Sequence, residues 1–139
     1  MLINKENITS IIPQRAPFVM IDSLLDANET GFNTNFEILS DNLFLENGIL
    51  SESSLIENIA QTCAAGFGYL NSLIEGGEPK LGFIGAVTQV QVENSAKLND
   101  LIETSVQILS TFDTIHLVEG VAKSNGQVLL TCQMKIVLA

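Results

Sequence analysis

Between residues 53 and 74 the chain reads SSLIENIAQTCAAGFGYLNSLI, and Glu57 is the only charged residue in that stretch. Ile56, Ile59, Ala60, Cys63, Phe67, Leu70 and Ile74 recur at helical spacing, which predicts a long, mostly buried amphipathic helix. Beside this apolar face runs a second stripe, Glu57, Gln61, Ala64 and Gly68, spaced by three and four. It carries a carboxylate, then an amide, then two small residues. Asn58, Thr62 and Tyr69 give the helix one partly polar side. Burial disfavours the charged form of an acid. A carboxylate set against a core helix and beside a groove of small residues is therefore a candidate acid or base. The competing structural role is a capping box, with Ser54 as cap and Glu57 three residues later. Ser51 is an equally good cap and starts the helix one turn earlier.

Working outward, residues 5–12 form a short helix stopped by Pro13, and residues 18–25 an extended run. Residues 27–31 form a polar turn closed by Gly31, followed by a half-buried strand in which Phe32, Thr34 and Phe36 alternate with polar residues. Residues 40–50 read as a loop. Gly76, Gly77, Glu78 and Pro79 end the long helix. Beyond them, residues 81–92, 101–112, 114–123 and 127–138 read as strands. Asn125-Gly126 marks a type I′ hairpin, whose two central residues need positive φ. Two strands, one long helix and about four meandering strands fit an α+β domain in which one curved antiparallel sheet wraps the helix. With 139 residues the chain reads as a single domain, residues 1–139, without linker or repeat.

The net charge of −10, with only six scattered Lys and Arg residues, excludes nucleic-acid binding, which needs a basic patch. It also argues against anionic membrane surfaces. The long helix is too polar to cross a bilayer, and residues 1–10 lack the apolar core of a signal peptide, which points to a cytoplasmic protein. Cys63 and Cys132 make neither a disulfide framework nor a metal site and read as small buried hydrophobes. A Ser-His-Asp triad would need His116, the single histidine, and no G-x-S-x-G elbow is present. No phosphate-binding glycine loop joins a strand to a helix, so neither a nucleotide cofactor nor a metal is expected. Positive mean hydropathy with few aromatics suggests burial that includes a subunit interface.

Two segments carry a resemblance. Residues 12–22, Ile-Pro-Gln-Arg-Ala-Pro-Phe-Val-Met-Ile-Asp, resemble the L-P-H-R-x-P-F-L-L-V-D motif of the β-hydroxyacyl-acyl-carrier-protein dehydratases, which have the hotdog fold. Residues 55–61, Leu-Ile-Glu-Asn-Ile-Ala-Gln, resemble the same family's I-I-E-A-L-A-Q helix. Residues 41–50 are similar to the D-N-x-F-x-x-x-G-x-L loop of dehydratase-like proteins from aryl-polyene and flexirubin-type pigment clusters. Asn99-Asp100 stands where the family has Gly-Asp before a strand. The resemblance departs from the family at two places. The histidine of its G-H-F-P motif precedes the helix glutamate by fourteen residues, and that count leads back from Glu57 to Leu43. The Pro-Gly pair at its helix start is replaced by Ser51-Glu52.

The resemblance implies a dehydratase-like hotdog protein acting on 3-hydroxyacyl thioesters of acyl carrier protein or coenzyme A, in fatty-acid or polyene-type biosynthesis. Glu57 would be its acid or base, Gln61 would support it, and Ala64 and Gly68 would line the acyl tunnel. The missing histidine leaves two alternatives: a hotdog thioesterase using Glu57 alone, or a non-catalytic partner of a histidine-bearing dehydratase. A homodimer or higher oligomer, or a heterodimer with such a partner, is implied. The acidic balance would repel an acidic carrier protein unless Arg15 and a lysine cluster locally.

Overall fold

The computed structural model describes residues 1–74 and 82–138. A 3₁₀ helix, Lys5–Ser10, precedes strands β1 (Ser23–Asn28) and β2 (Gly31–Glu37). Two short strands, β3 (Leu45–Glu46) and β4 (Ile49–Leu50), lead to helix α1 (Glu52–Ser72). Strands β5 (Gly82–Val92), β6 (Ala96–Lys97), β7 (Leu101–Phe112), β8 (Ile115–Ser124) and β9 (Gln127–Leu138) follow. The six long strands form one antiparallel sheet in the order β1-β2-β7-β8-β9-β5. Its concave face packs on α1, as the order of elements predicts.

The helix begins where the earlier of the two caps places it. Ser51 is the N-cap in extended conformation, and the Ser54 N–H bonds to the Ser51 carbonyl. Glu57 thus lies beyond the first turn and takes no part in a capping box. The helix ends at Ser72, and the Gly76–Pro79 stop falls outside the described residues. Leu55, Ile59 and Cys63 press into a core with Phe32, Ile102, Val106, Val118, Leu130 and Met134. The helix approaches β8 closely at Gly120, where a Cβ would stand 2.3 Å from the Ile59 side chain.

Three expectations need correction. The first strand is β1, not residues 18–25, because the backbone of Met20 is claimed by side chains of α1 rather than by a neighbouring strand. The loop at residues 40–50 contains a hairpin: Asn47 (φ 54°) and Gly48 (φ 77°) turn β3 into β4, and β4 pairs with β6. That makes a second, three-stranded sheet. Asn47-Gly48 is the same turn signal as Asn125-Gly126, whose φ angles of 53° and 76° form the β8–β9 hairpin. Finally, Asn58 and Thr62 are not on a polar side of the helix, since both are 0% exposed.

Candidate functional site

A cleft of about 750 Å³ opens along α1, between the helix, residues 9–15 and the β5–β9 end of the sheet. That volume suits a small-molecule ligand. Glu57, Ala60, Cys63, Ala64 and Phe67 form its helix side, and Ile84, Ile136 and Leu138 its sheet side. Gln14 and Arg15 also line it. Arg15 is the one basic residue among the described residues that line it, and it is held by bonds to the carbonyls of Ile12 (2.7 Å) and Gln14 (2.8 Å).

The half-buried Glu57 is positioned by Gln61, which is 0% exposed and reaches no cavity surface itself. The Gln61 amide has one possible orientation. Its Oε1 accepts the Met20 N–H at 2.6 Å, and its Nε2 donates to the Phe18 carbonyl at 2.9 Å. A flip would set donor against donor and acceptor against acceptor. The second N–H of Nε2 is left for Glu57 Oε2, at 3.2 Å. Oε2 is therefore held as an acceptor on a side chain that lines the cleft.

Deeper in, Asn58 donates to the Met20 carbonyl at 2.7 Å and accepts from Thr104. Thr62 donates to the Asn58 carbonyl, so its oxygen must accept from Thr34. Asn58 and Gln61 together bind both backbone polar groups of Met20. They pin residues 18–20, which follow Gln14 and Arg15, onto the helix.

Of the four residues singled out in the sequence, the structure brings Glu57 and Ala64 to the cleft and Gln61 directly behind Glu57. Gly68 departs from its expected place. It packs against the backbone of Ile11, where a Cβ would stand 2.3 Å from the carbonyl oxygen, so its smallness serves helix packing rather than a tunnel. Asn58 was readable only as polar surface, and nothing local marks it as buried. Phe67 was readable as apolar face but not as cleft wall.

No imidazole lies beside Glu57. His116 packs against Phe67, with ring centroids 4.6 Å apart and the rings tilted by 37°, and bonds Thr111 Oγ1 through Nδ1 at 2.9 Å. Phe67 is ten residues beyond Glu57, about 15 Å along the helix axis. Burial lowers the His116 pKa, which favours a neutral ring against Phe67. Leu43, at the count of the family histidine, is exposed. Cys63 lines the cleft, but burial first, and Cys132 second, push its thiol up to about 12, so it is no thiolate nucleophile.

A curved antiparallel sheet wrapped around one long helix is the hotdog fold. The ApeP-like dehydratase profile matches residues 6–138, and the chain belongs to that family. It is 27% identical over 144 residues to the 3-hydroxyacyl-acyl-carrier-protein dehydratase FabZ of Oceanobacillus iheyensis, covering 99% of each chain. To FabZ of Bacillus subtilis it is 22% identical over 99% of this chain and 98% of that one. Among solved structures, the dehydratase heterocomplex ApeI:P from Xenorhabdus doucetiae superposes with a TM-score of 0.87 at 17% identity, over 95% of this chain and 90% of that one. A hypothetical thioesterase from Streptococcus pneumoniae with coenzyme A superposes at 0.68 with 8% identity, over 84% of each. These structural likenesses establish the hotdog fold. Among the described residues no helix is long and apolar enough to cross a membrane.

Proposed function

We propose that this chain is the carboxylate-bearing subunit of a 3-hydroxyacyl-thioester dehydratase, and that the imidazole comes from a different hotdog chain. The observation that carries this reading is a Glu57 clamped for work in an apolar cleft, in a sequence whose one histidine is packed against Phe67. A homodimer would contain only further copies of His116. The ApeI:P neighbour, a dehydratase heterocomplex, supports pairing between two unlike chains.

Dehydration breaks the C2–H and C3–OH bonds, forms the C2=C3 double bond and releases water. The reaction needs a base for the C2 proton and an acid for the departing hydroxyl. On this reading imidazole takes the C2 proton, and Glu57 gives one to the departing hydroxyl. Gln61 holds the Glu57 side chain by occupying Oε2.

The test is turnover of 3-hydroxyacyl and saturated acyl thioesters, on carrier protein and on coenzyme A, by wild-type protein and Glu57→Gln. The chain alone is expected to leave saturated thioesters intact and to dehydrate 3-hydroxyacyl thioesters only slowly. Thiol release from saturated substrates that disappears in Glu57→Gln would replace this reading with a thioesterase.

A further inference from the structure

The helix side of the cleft is graded. Glu57, Ala60, Ala64 and Phe67 follow one another by three, four and three residues, a single row parallel to the helix axis. The row begins with a carboxylate, continues with two side chains of one carbon each and ends on a benzyl ring. Phe67 is the last helix residue lining the cleft among the described residues. Its ring is fixed from two sides. Phe32, itself 1% exposed, meets it edge-on at 5.0 Å and 77°, and His116 packs against it at 4.6 Å with its ring tilted by 37°. His116 is tied in turn to Thr111. A ring held this way cannot rotate aside without disturbing the core at Phe32.

We propose that Phe67 sets the longest acyl chain the cleft accepts, with the Phe32 and His116 rings holding it in place. This rests on the acyl-thioester reading above and adds a substrate length to it. Ten helical residues span about 15 Å. An extended chain advances about 1.2 Å per bond, as three backbone bonds span roughly 3.3–3.6 Å. The row therefore holds about twelve to thirteen carbons beyond the reacting pair. Ala60 and Ala64 leave the channel open, and Phe67 closes it.

The experiment is calorimetric titration with a series of straight-chain S-alkyl pantetheine thioethers of increasing length, which cannot turn over. The proteins are the intact wild type, Phe67→Ala, Phe67→Leu and Ala64→Phe. Wild-type affinity should rise roughly fourfold per added methylene while the chain is being buried, then stop rising at the length set by Phe67. Phe67→Ala should move that limit to longer chains, and Phe67→Leu should move it less. Ala64→Phe should shorten it by about four carbons, the equivalent of three helical residues. Phe67→Leu and Ala64→Phe keep the question answerable if Phe67→Ala does not fold. A limit at the same length in all folded proteins would overturn the assignment of Phe67 alone. No binding at any length would overturn the acyl-thioester reading, and the gauge with it.

Discussion

Strands β2 and β5 belong to one sheet and are built on opposite terms. In β2, Phe32, Thr34 and Phe36 are buried while Asn33 and Asn35, on the other face, are half-buried, the alternation of a strand with one well-covered face. It has β1 on one side, β7 on the other and α1 above. In β5, Phe83, Ile84, Val87, Val90 and Val92 are all 36–51% exposed, and they fall on both faces. Its one neighbour among the described residues is β9, and two register shifts interrupt even that pairing. Strand β5 thus has the composition of a covered strand without the cover. An open apolar edge is a template for another chain, and Gly82, Phe83 and Ile84 of this strand line the cleft. The closed end fixes the positions of Glu57 and Gln61. On the two-chain reading proposed above, the open end is the edge to which a second subunit would add.

The largest expected effect is at the closed end. Asn58→Ala leaves the Met20 carbonyl and the Thr104 hydroxyl buried without their partner. At about 1–3 kcal/mol for each stranded group, it should cost about 2–6 kcal/mol, read from the urea unfolding midpoint. A cost under about 1 kcal/mol would show that water or another side chain replaces the amide, and the rigid closed end would lose its basis.

Val87→Lys with Val90→Lys tests the open end. Charges on an exposed edge should change the stability of the isolated chain by no more than about 1 kcal/mol. Sedimentation should nonetheless show smaller assemblies than the wild type. An unchanged assembly would place the subunit contact elsewhere.

The smallest effect concerns Asp22, beside β1. Burial raises its pKa above 3.8, against the opposing pull of the Glu37 N–H and of Lys5 at 3.9 Å. The folded protein thus holds this proton more tightly than the unfolded chain. The resulting stabilisation is complete below pH 3.8 and is lost as pH rises through the folded value. Melting temperatures of wild type and Asp22→Asn should therefore differ most in favour of wild type in acid, with the gap shrinking toward neutrality. A gap that grows with pH would reverse the assignment.

Much of this was legible in the sequence because periodicity reports burial directly. The row of Ile59, Cys63 and Phe67 and the alternation of Phe32, Thr34 and Phe36 announced the helix and the sheet. Glu57 stood out by being the sole charge between residues 53 and 74, and Gln61 by lying one turn on. Asn58 and Thr62 misled because a buried polar residue and a solvated one have the same letter, and only the partners, Met20, Thr34 and Thr104, tell them apart. Gly68 misled because a small residue serves a channel and a tight backbone contact equally well. The β3–β4 hairpin was legible at Asn47-Gly48, but strands of two residues carry no periodicity to confirm it.

The central claim is the proposal that Glu57 is one half of an acid–base pair whose other half, an imidazole, comes from another chain. Free imidazole added to the purified chain tests it most directly, with dehydration of a 3-hydroxyacyl thioester followed as imidazole is raised. The account predicts a rate that climbs with imidazole concentration and falls about 10²–10⁴-fold in Glu57→Gln. A fast rate that ignores imidazole, or an imidazole response unchanged in Glu57→Gln, would contradict it.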